Sequence, residues 1–298
     1  MEKTLYAAIE GGGTKFICAV MDENRRILSQ ARFACTGPAE TIAHCLGFLR
    51  QAQDSLGALK ALGIACFGPL DPRPDSADYG KILATPKKGW AGTDMVRPFA
   101  EGLRVPVAFD TDVNGAVLAE SLWGAGKGLK SVVYFTIGTG IGGGAILEKK
   151  PIHGLMHPEM GHMRIPHDQA RDPFKGICPF HGDCFEGLAS GPAIAARWGH
   201  KAEALPAGHP GWALEAHYIA LAMQNVICTL MPQRVILGGG VMAQSHLFRL
   251  IRGKLLEALG GYLQIPAITS SMEEYLVPSP LEGIAGLYGA LALAMSAG

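Results

Sequence analysis

The chain has 298 residues, 48% hydrophobic and 17% charged, enough to bury a substantial core as one large or two medium domains. Its 26 basic and 26 acidic residues cancel, so the charge balance offers nothing to a nucleic acid or another polyanion. Residues 1–4 lead straight into a strand pattern without a cleavable apolar segment, and the uncharged run Gly283–Gly298 is shorter than the ~20 residues that span a bilayer. The expectation is a cytoplasmic protein with no membrane partner.

Residues 5–9 read as a strand that ends in Glu10-Gly11-Gly12-Gly13-Thr14-Lys15, and residues 16–20 read as its antiparallel return. A third strand is expected near residues 26–33. Ile42, Cys45, Leu46, Leu49 and Leu56 then fall at helical spacing. Residues 62–67 form a buried strand, followed by a polar, proline-rich loop over 71–90 that ends Pro86-Lys87-Lys88-Gly89-Trp90. Two readings of that loop stand side by side: two lysines and a tryptophan closing over a sugar or phosphate, or a solvated loop with one packed aromatic.

The strand at 105–109 delivers Asp112 to a strand-to-helix junction. An aspartate there either caps the helix or serves as a base, and Asp110, Thr111 and Asn114 give it more polar company than a cap requires. A small-residue helix runs on to Trp123. The next strand, 131–137, enters Gly138-Thr139-Gly140-Ile141-Gly142-Gly143-Gly144. The run matches a dinucleotide fingerprint formally, but 145–150 reads as another strand and not as a helix. A hairpin is therefore expected. Its glycines either let backbone N–H groups approach an anion or merely make the turn. Strand, glycines, strand is also the plan at the start of the chain, which suggests two similar lobes facing each other across a nucleotide.

Seven cysteines occur, at positions 18, 35, 45, 66, 178, 184 and 228, and only Cys178 and Cys184 form a group. With His181 between them, and with His162 from His157-Pro158-Glu159-Met160-Gly161-His162, they make a closed Cys₂His₂ set suited to a structural zinc ion. His153, His157 and His167 are rival fourth ligands. Beyond this loop Ser190 caps a helix with Pro192 in its first turn, and Leu214, His217, Tyr218, Leu221, Asn225 and Cys228 mark one face of a long helix, its His and Asn read as core-edge residues rather than ligands. A strand at 235–237 enters Gly238-Gly239-Gly240. Helices are expected over 244–259 and, alanine-rich and packed tightly on a sheet, after Gly283.

Together Glu10-Gly11-Gly12-Gly13-Thr14, Asp112-Val113-Asn114, the glycines 138–144, Glu159-Met160-Gly161-His162 and Gly238-Gly239-Gly240 resemble the ROK family of sugar kinases, within the actin-like ATPase superfamily. The resemblance covers essentially the whole chain. It is strongest to the fructokinase branch, because of Glu10 where glucokinase members usually carry Asp, His181 between the two cysteines, His157-Pro158, and the Pro86 to Trp90 loop. It implies an α/β fold of two actin-like (ribonuclease H-like) lobes with the active site in the cleft. The first lobe is expected over 1–115 with the helix 283–298, and the second over 116–282 with a zinc loop at 157–186.

The same resemblance implies an ATP-dependent hexose kinase making fructose 6-phosphate, with mannose, glucose and N-acetylmannosamine as rival substrates. Asp112 would be the general base. Thr111, Asn114, Glu159, His162 and Glu186 would serve the sugar, His162 being shared with the metal. Gly11, Gly12, Gly13, Thr14 and Lys15 with Gly138, Thr139 and Gly140 would hold phosphates, and Gly238, Gly239 and Gly240 would line the adenosine pocket. Mg²⁺ with ATP, held by Glu10 through water, a structural Zn²⁺ on His162, Cys178, His181 and Cys184, and a homodimer complete the expectation. A sugar-sensing repressor of the same family would carry a DNA-binding domain ahead of the first strand.

Overall fold

The computed structural model describes residues 3–297. They form two compact units. One holds the residues through Ala119, Pro151–Pro158 and the stretch from Gly283; the other holds Glu120–Lys150 and Glu159–Glu282.

The first unit is built on β1 (Leu5–Gly11), β2 (Lys15–Asp22), β3 (Ile27–Ala34), β4 (Leu59–Cys66) and β5 (Val107–Thr111), in the order β3-β2-β1-β4-β5. β1 pairs antiparallel with β2 and parallel with β4, and β4 pairs parallel with β5. β1 and β4 are almost wholly buried, as expected of inner strands covered on both faces. Helix α1 (Pro38–Leu56) lies between β3 and β4, α2 (Arg97–Leu103) between β4 and β5, and α3 (Asp112–Trp123) follows β5.

The second unit repeats the plan. Its sheet of β6 (Val132–Ile137), β7 (Ile141–Leu147), β8 (Lys150–Pro151), β9 (Arg234–Gly238) and β10 (Leu276–Pro278) is ordered β10-β9-β6-β7-β8, with β6–β7 antiparallel and β6–β9 and β9–β10 parallel. Each of β6, β7, β9 and β10 takes the place of β1, β2, β4 and β5. This is the actin-like, ribonuclease H-like arrangement in both units. The remaining helices are α4 (Phe185–Ala189), α5 (Gly191–Trp198), α6 (Gly211–Leu230), α7 (His246–Leu259), α8 (Pro266–Thr269), α9 (Met272–Tyr275) and α10 (Ala285–Ala297).

α10 lies against β4 and β1, and its small residues have a steric reason. A Cβ at Gly63 of β4 would stand 1.8 Å from the Ala290 carbonyl oxygen, so helix and strand approach backbone to backbone.

The structure refines one sequence expectation and decides between two readings of another. The second glycine run is not all turn: Gly142, Gly143 and Gly144 pair with Thr136, Phe135 and Tyr134 inside β7, leaving Gly138 to Gly140 as the turn. A Cβ at Gly143 would meet the Phe135 ring at 2.7 Å and Met160 at 2.9 Å, so that glycine admits packing across the strand. In the 71–90 loop the packed-aromatic reading holds. Trp90 is fully buried, stacked on Phe16 at 5.4 Å, and its indole N–H donates to the Thr36 carbonyl at 3.0 Å. It is not available to cover a ligand.

Candidate active site and metal centre

β5 runs out at Thr111, and α3 begins at the next residue, Asp112. The Thr111 hydroxyl accepts the Asn114 backbone N–H at 3.1 Å, which is the contact an N-cap makes. Thr111 therefore does the capping. Asp112, half-buried in the first turn, has one carboxylate oxygen 2.9 Å from the Val113 N–H. Below it, buried Asp110 accepts from the Thr111 N–H at 2.7 Å and from Asn114 Nδ2 at 2.8 Å through the same oxygen. Asn114 is 1% exposed, and its Oδ1 has no hydrogen-bond partner among the described residues. A buried acceptor of this kind is an expensive thing to leave unpaired, and a ligand hydroxyl would satisfy it.

The first glycine hairpin closes through the Gly12 N–H to the Lys15 carbonyl, 2.9 Å. Gly13, Thr14 and Lys15 are exposed at its tip, whereas a Cβ at buried Gly11 would sit 2.8 Å from Cys66 Sγ. Gly11 is thus small for packing as well as for approach. The Lys87 ammonium donates to the Gly13 carbonyl. Burial pushes the Glu10 carboxyl pKa up, against the opposing charges of Lys15 and Arg32.

In the second unit the Gly138 N–H donates to Gly140 O at 2.9 Å, and Glu186 Oε2 accepts the Ile141 N–H at 2.9 Å, fixing the end of the turn to α4. Gly138, Thr139, Pro192, Lys201 and Gly240 line a cavity of about 340 Å³. α5 enters it through Gly191, whose N–H donates to the Gly138 carbonyl at 2.7 Å, with Ser190 capping the helix as expected. Gly238 and Gly239 serve the strand end: a Cβ at Gly238 would meet the Tyr134 hydroxyl at 2.8 Å, and Gly239 has φ +94° with a Cβ 2.6 Å from Ile137 backbone. Pro192 and Lys201 carried no motif, so sequence reasoning gave them no ligand role.

Cys178, His181, Cys184 and His162 place their four ligand atoms within 4.8 Å of one another. Both sulfurs lie 3.6 Å from His162 Nδ1, and Cys178 Sγ also lies 3.6 Å from His181 Nδ1. A tetrahedral zinc with bonds of about 2.3 Å to sulfur and about 2.0–2.1 Å to nitrogen has S···N edges of about 3.6 Å. The set therefore fits zinc. Without a cation beside it, burial pushes the Cys184 thiol up to about 11, so a divalent ion is what would draw it to the thiolate.

The rival histidines are engaged elsewhere. His157 Nε2 accepts the Leu70 N–H at 3.1 Å, His167 lies 3.1 Å from Asp183, and His153 lies 2.9 Å from Asp110. Glu159 stands just before the 3₁₀ turn Met160–His162, and Glu186 lies two residues beyond Cys184, so the metal loop carries both glutamates. Glu159 is reached by solvent, yet protein around its carboxyl and the like charge of Glu186 push its pKa up to about 7.

Two actin-like units, one bearing a strand-to-helix aspartate and the other a glycine-lined cavity and a Cys₂His₂ loop, define a class of nucleotide-dependent phosphotransferase. Residues 6–297 match the sequence profile of the ROK family, and the chain belongs to that family. A fructokinase of Zymomonas mobilis is 42% identical over 99% of this chain and 98% of its own length. One of Lactococcus lactis is 41% identical over 98% and 97%. Among solved structures, a ROK hexokinase of Thermus thermophilus superposes with TM-score 0.80 at 25% identity, covering 98% of both chains. A ROK glucokinase of Streptomyces griseus, in complex with glucose and AMPPNP, gives 0.77 at 25% over 99% of both.

Proposed function

We propose that this chain is an ATP-dependent hexose kinase whose substrate is fructose and whose product is fructose 6-phosphate. The observation that carries the reading is Asp112, a carboxylate in the first turn of α3 that Thr111 has relieved of capping. Two fructokinases at 41–42% identity over nearly the whole chain support the choice of sugar. A relative of known structure that binds glucose and AMPPNP supports a hexose and an adenine nucleotide.

In this reading Asp112 accepts the proton of the sugar hydroxyl as it attacks the γ-phosphorus, a task that needs a positioned carboxylate more than a strong base. Asn114 presents its unpaired Oδ1 to a sugar hydroxyl, and Glu159, Glu186 and His162 Nε2 supply further partners. Backbone N–H groups of Gly11 to Lys15 and of Gly138 to Gly140 hold phosphate oxygens, and Gly240 borders the adenosine. Magnesium carried with ATP supplies charge neutralisation at the phosphates, and the Glu10 carboxyl would hold it through water. Zinc would be held by His162, Cys178, His181 and Cys184, fixing the loop that carries Glu159 and Glu186. No helix among the described residues is long and apolar enough to cross a membrane. A cytoplasmic homodimer is the expected working form.

The test is ADP release with Mg·ATP and fructose, mannose, glucose, N-acetylmannosamine or no sugar. Turnover favouring fructose is expected, and Asp112→Asn should lower it by on the order of 10²–10⁴ while sugar binding persists. Preference for another hexose would overturn the substrate, and near-normal turnover of Asp112→Asn would overturn the base.

A further inference from the structure

Asp110 is 3% exposed, and its two oxygens divide their work. Oδ1 takes both the Thr111 N–H and Asn114 Nδ2, at 2.7 and 2.8 Å. Oδ2 lies 2.9 Å from His153 Nε2. That ring nitrogen also lies 3.3 Å from Asn114 Nδ2. Beside a carboxylate oxygen on one side and an amide nitrogen on the other, it can only be a donor to Asp110, so Nε2 carries a proton.

The contact with Asp110 decides which way the Asn114 carboxamide faces. Turning the amide over would set its oxygen against a carboxylate oxygen, so Nδ2 stays on Asp110 and Oδ1 is left facing the other way, buried and unpaired. His153 secures this arrangement from the far side. Without the imidazole, Oδ2 of a buried carboxylate would lose its donor, and the group would rotate to find another. That rotation frees the Asn114 amide to turn and disturbs the Thr111 N–H at the start of α3.

We infer that His153 is a positioning residue which, through Asp110, locks the Asn114 carboxamide with its oxygen presented to a sugar hydroxyl, and thereby sets sugar affinity. The tie is charge-assisted, since the Asp110 carboxylate raises the imidazole pKa in return. It is not what anchors the segment Pro151–Pro158. That work falls to His157, four residues on, which accepts the Leu70 N–H and turns its other ring nitrogen to the Pro158 carbonyl. Burial lowers the pKa of His157 and keeps it neutral for that role.

The inference rests on the sugar-kinase reading. Its test compares wild type with His153→Ala, His153→Gln, whose amide N–H falls near the place of Nε2, and Asp110→Asn. Fructose KM and its calorimetric Kd without nucleotide should both rise on the order of 10-fold in His153→Ala and Asp110→Asn. ATP KM should change little, Tm should fall by about a few degrees in His153→Ala, and His153→Gln should recover most of the affinity. Unchanged fructose affinity in His153→Ala would overturn the inference. So would a glutamine variant as impaired as alanine, or a loss shared equally by ATP KM. Wild-type protein without sugar-dependent turnover would instead overturn the kinase reading, an outcome separable because it needs no variant.

Discussion

If Glu159 accepts a hydrogen bond from the sugar as a carboxylate, its pKa of about 7 must appear in the affinity. Burial is the larger cause of that rise and the charge of Glu186 the smaller. A bound zinc would change the local field little, because two thiolates cancel its two charges. For a ligand that binds only the ionised form, the apparent Kd scales as 1 + 10^(pKa − pH). The factor is ~1.1 at pH 8, ~2 at pH 7 and ~11 at pH 6. Fructose titrated calorimetrically without nucleotide should therefore bind roughly 10-fold more weakly at pH 6 than at pH 8. Glu159→Gln should bind weakly throughout and lose the slope. Stability should move the opposite way. The folded pKa lies above the ordinary 4.5, so the ionised form is the penalised one, and stability present below 4.5 is lost as pH rises through about 7. Glu159→Gln should accordingly gain Tm over wild type at pH 8 and little at pH 4.5. Affinity flat between pH 6 and 8, or a pH slope surviving in the glutamine variant, would refute the assignment.

Two further outcomes are expected. Purified protein should carry one zinc per chain, and its removal by chelation, or Cys178→Ser, should raise fructose KM before ATP KM, since the metal loop holds Glu159 and Glu186. Still-folded, zinc-free protein with an unchanged fructose KM would show that the metal does not serve the sugar. Gly63→Ala should cost ~3 kcal/mol or more by thermal or urea unfolding, because its methyl would stand 1.8 Å from Ala290 O and 2.6 Å from Ala294 N, both backbone. A variant of normal Tm would mean that α10 can retreat from β4.

The strand ends were legible because glycine there is forced by approach: three glycine clusters and one aspartate mark the ends of β1, β6, β9 and β5. The convergence of Cys178, His181, Cys184 and His162 was legible for a similar reason, since two-residue spacings leave a short loop few other ways to bury its thiols. What sequence could not divide was turn from strand within the second glycine run, because pairing with Phe135 and the bulk of Met160 decide it from outside the run. Trp90 read equally well as lid or as core; its stacking on Phe16, 74 positions away, is long-range. The His153 to Asp110 tie and the cavity wall at Lys201 were invisible for the same reason. Nothing in the local pattern of a histidine 43 residues from an aspartate marks the pair.

The first unit is not contiguous in the chain, and this orders events on the ribosome. β1 to β5 emerge early, but the helix that covers β4 and β1 is α10, made only after the whole of the second unit. During that interval an apolar sheet face has no lasting cover and needs a chaperone or transient contacts to remain soluble. A product truncated before residue 283 would stay in that condition permanently. The late helix thus gives protein quality control a physical mark by which a finished chain differs from a prematurely terminated one.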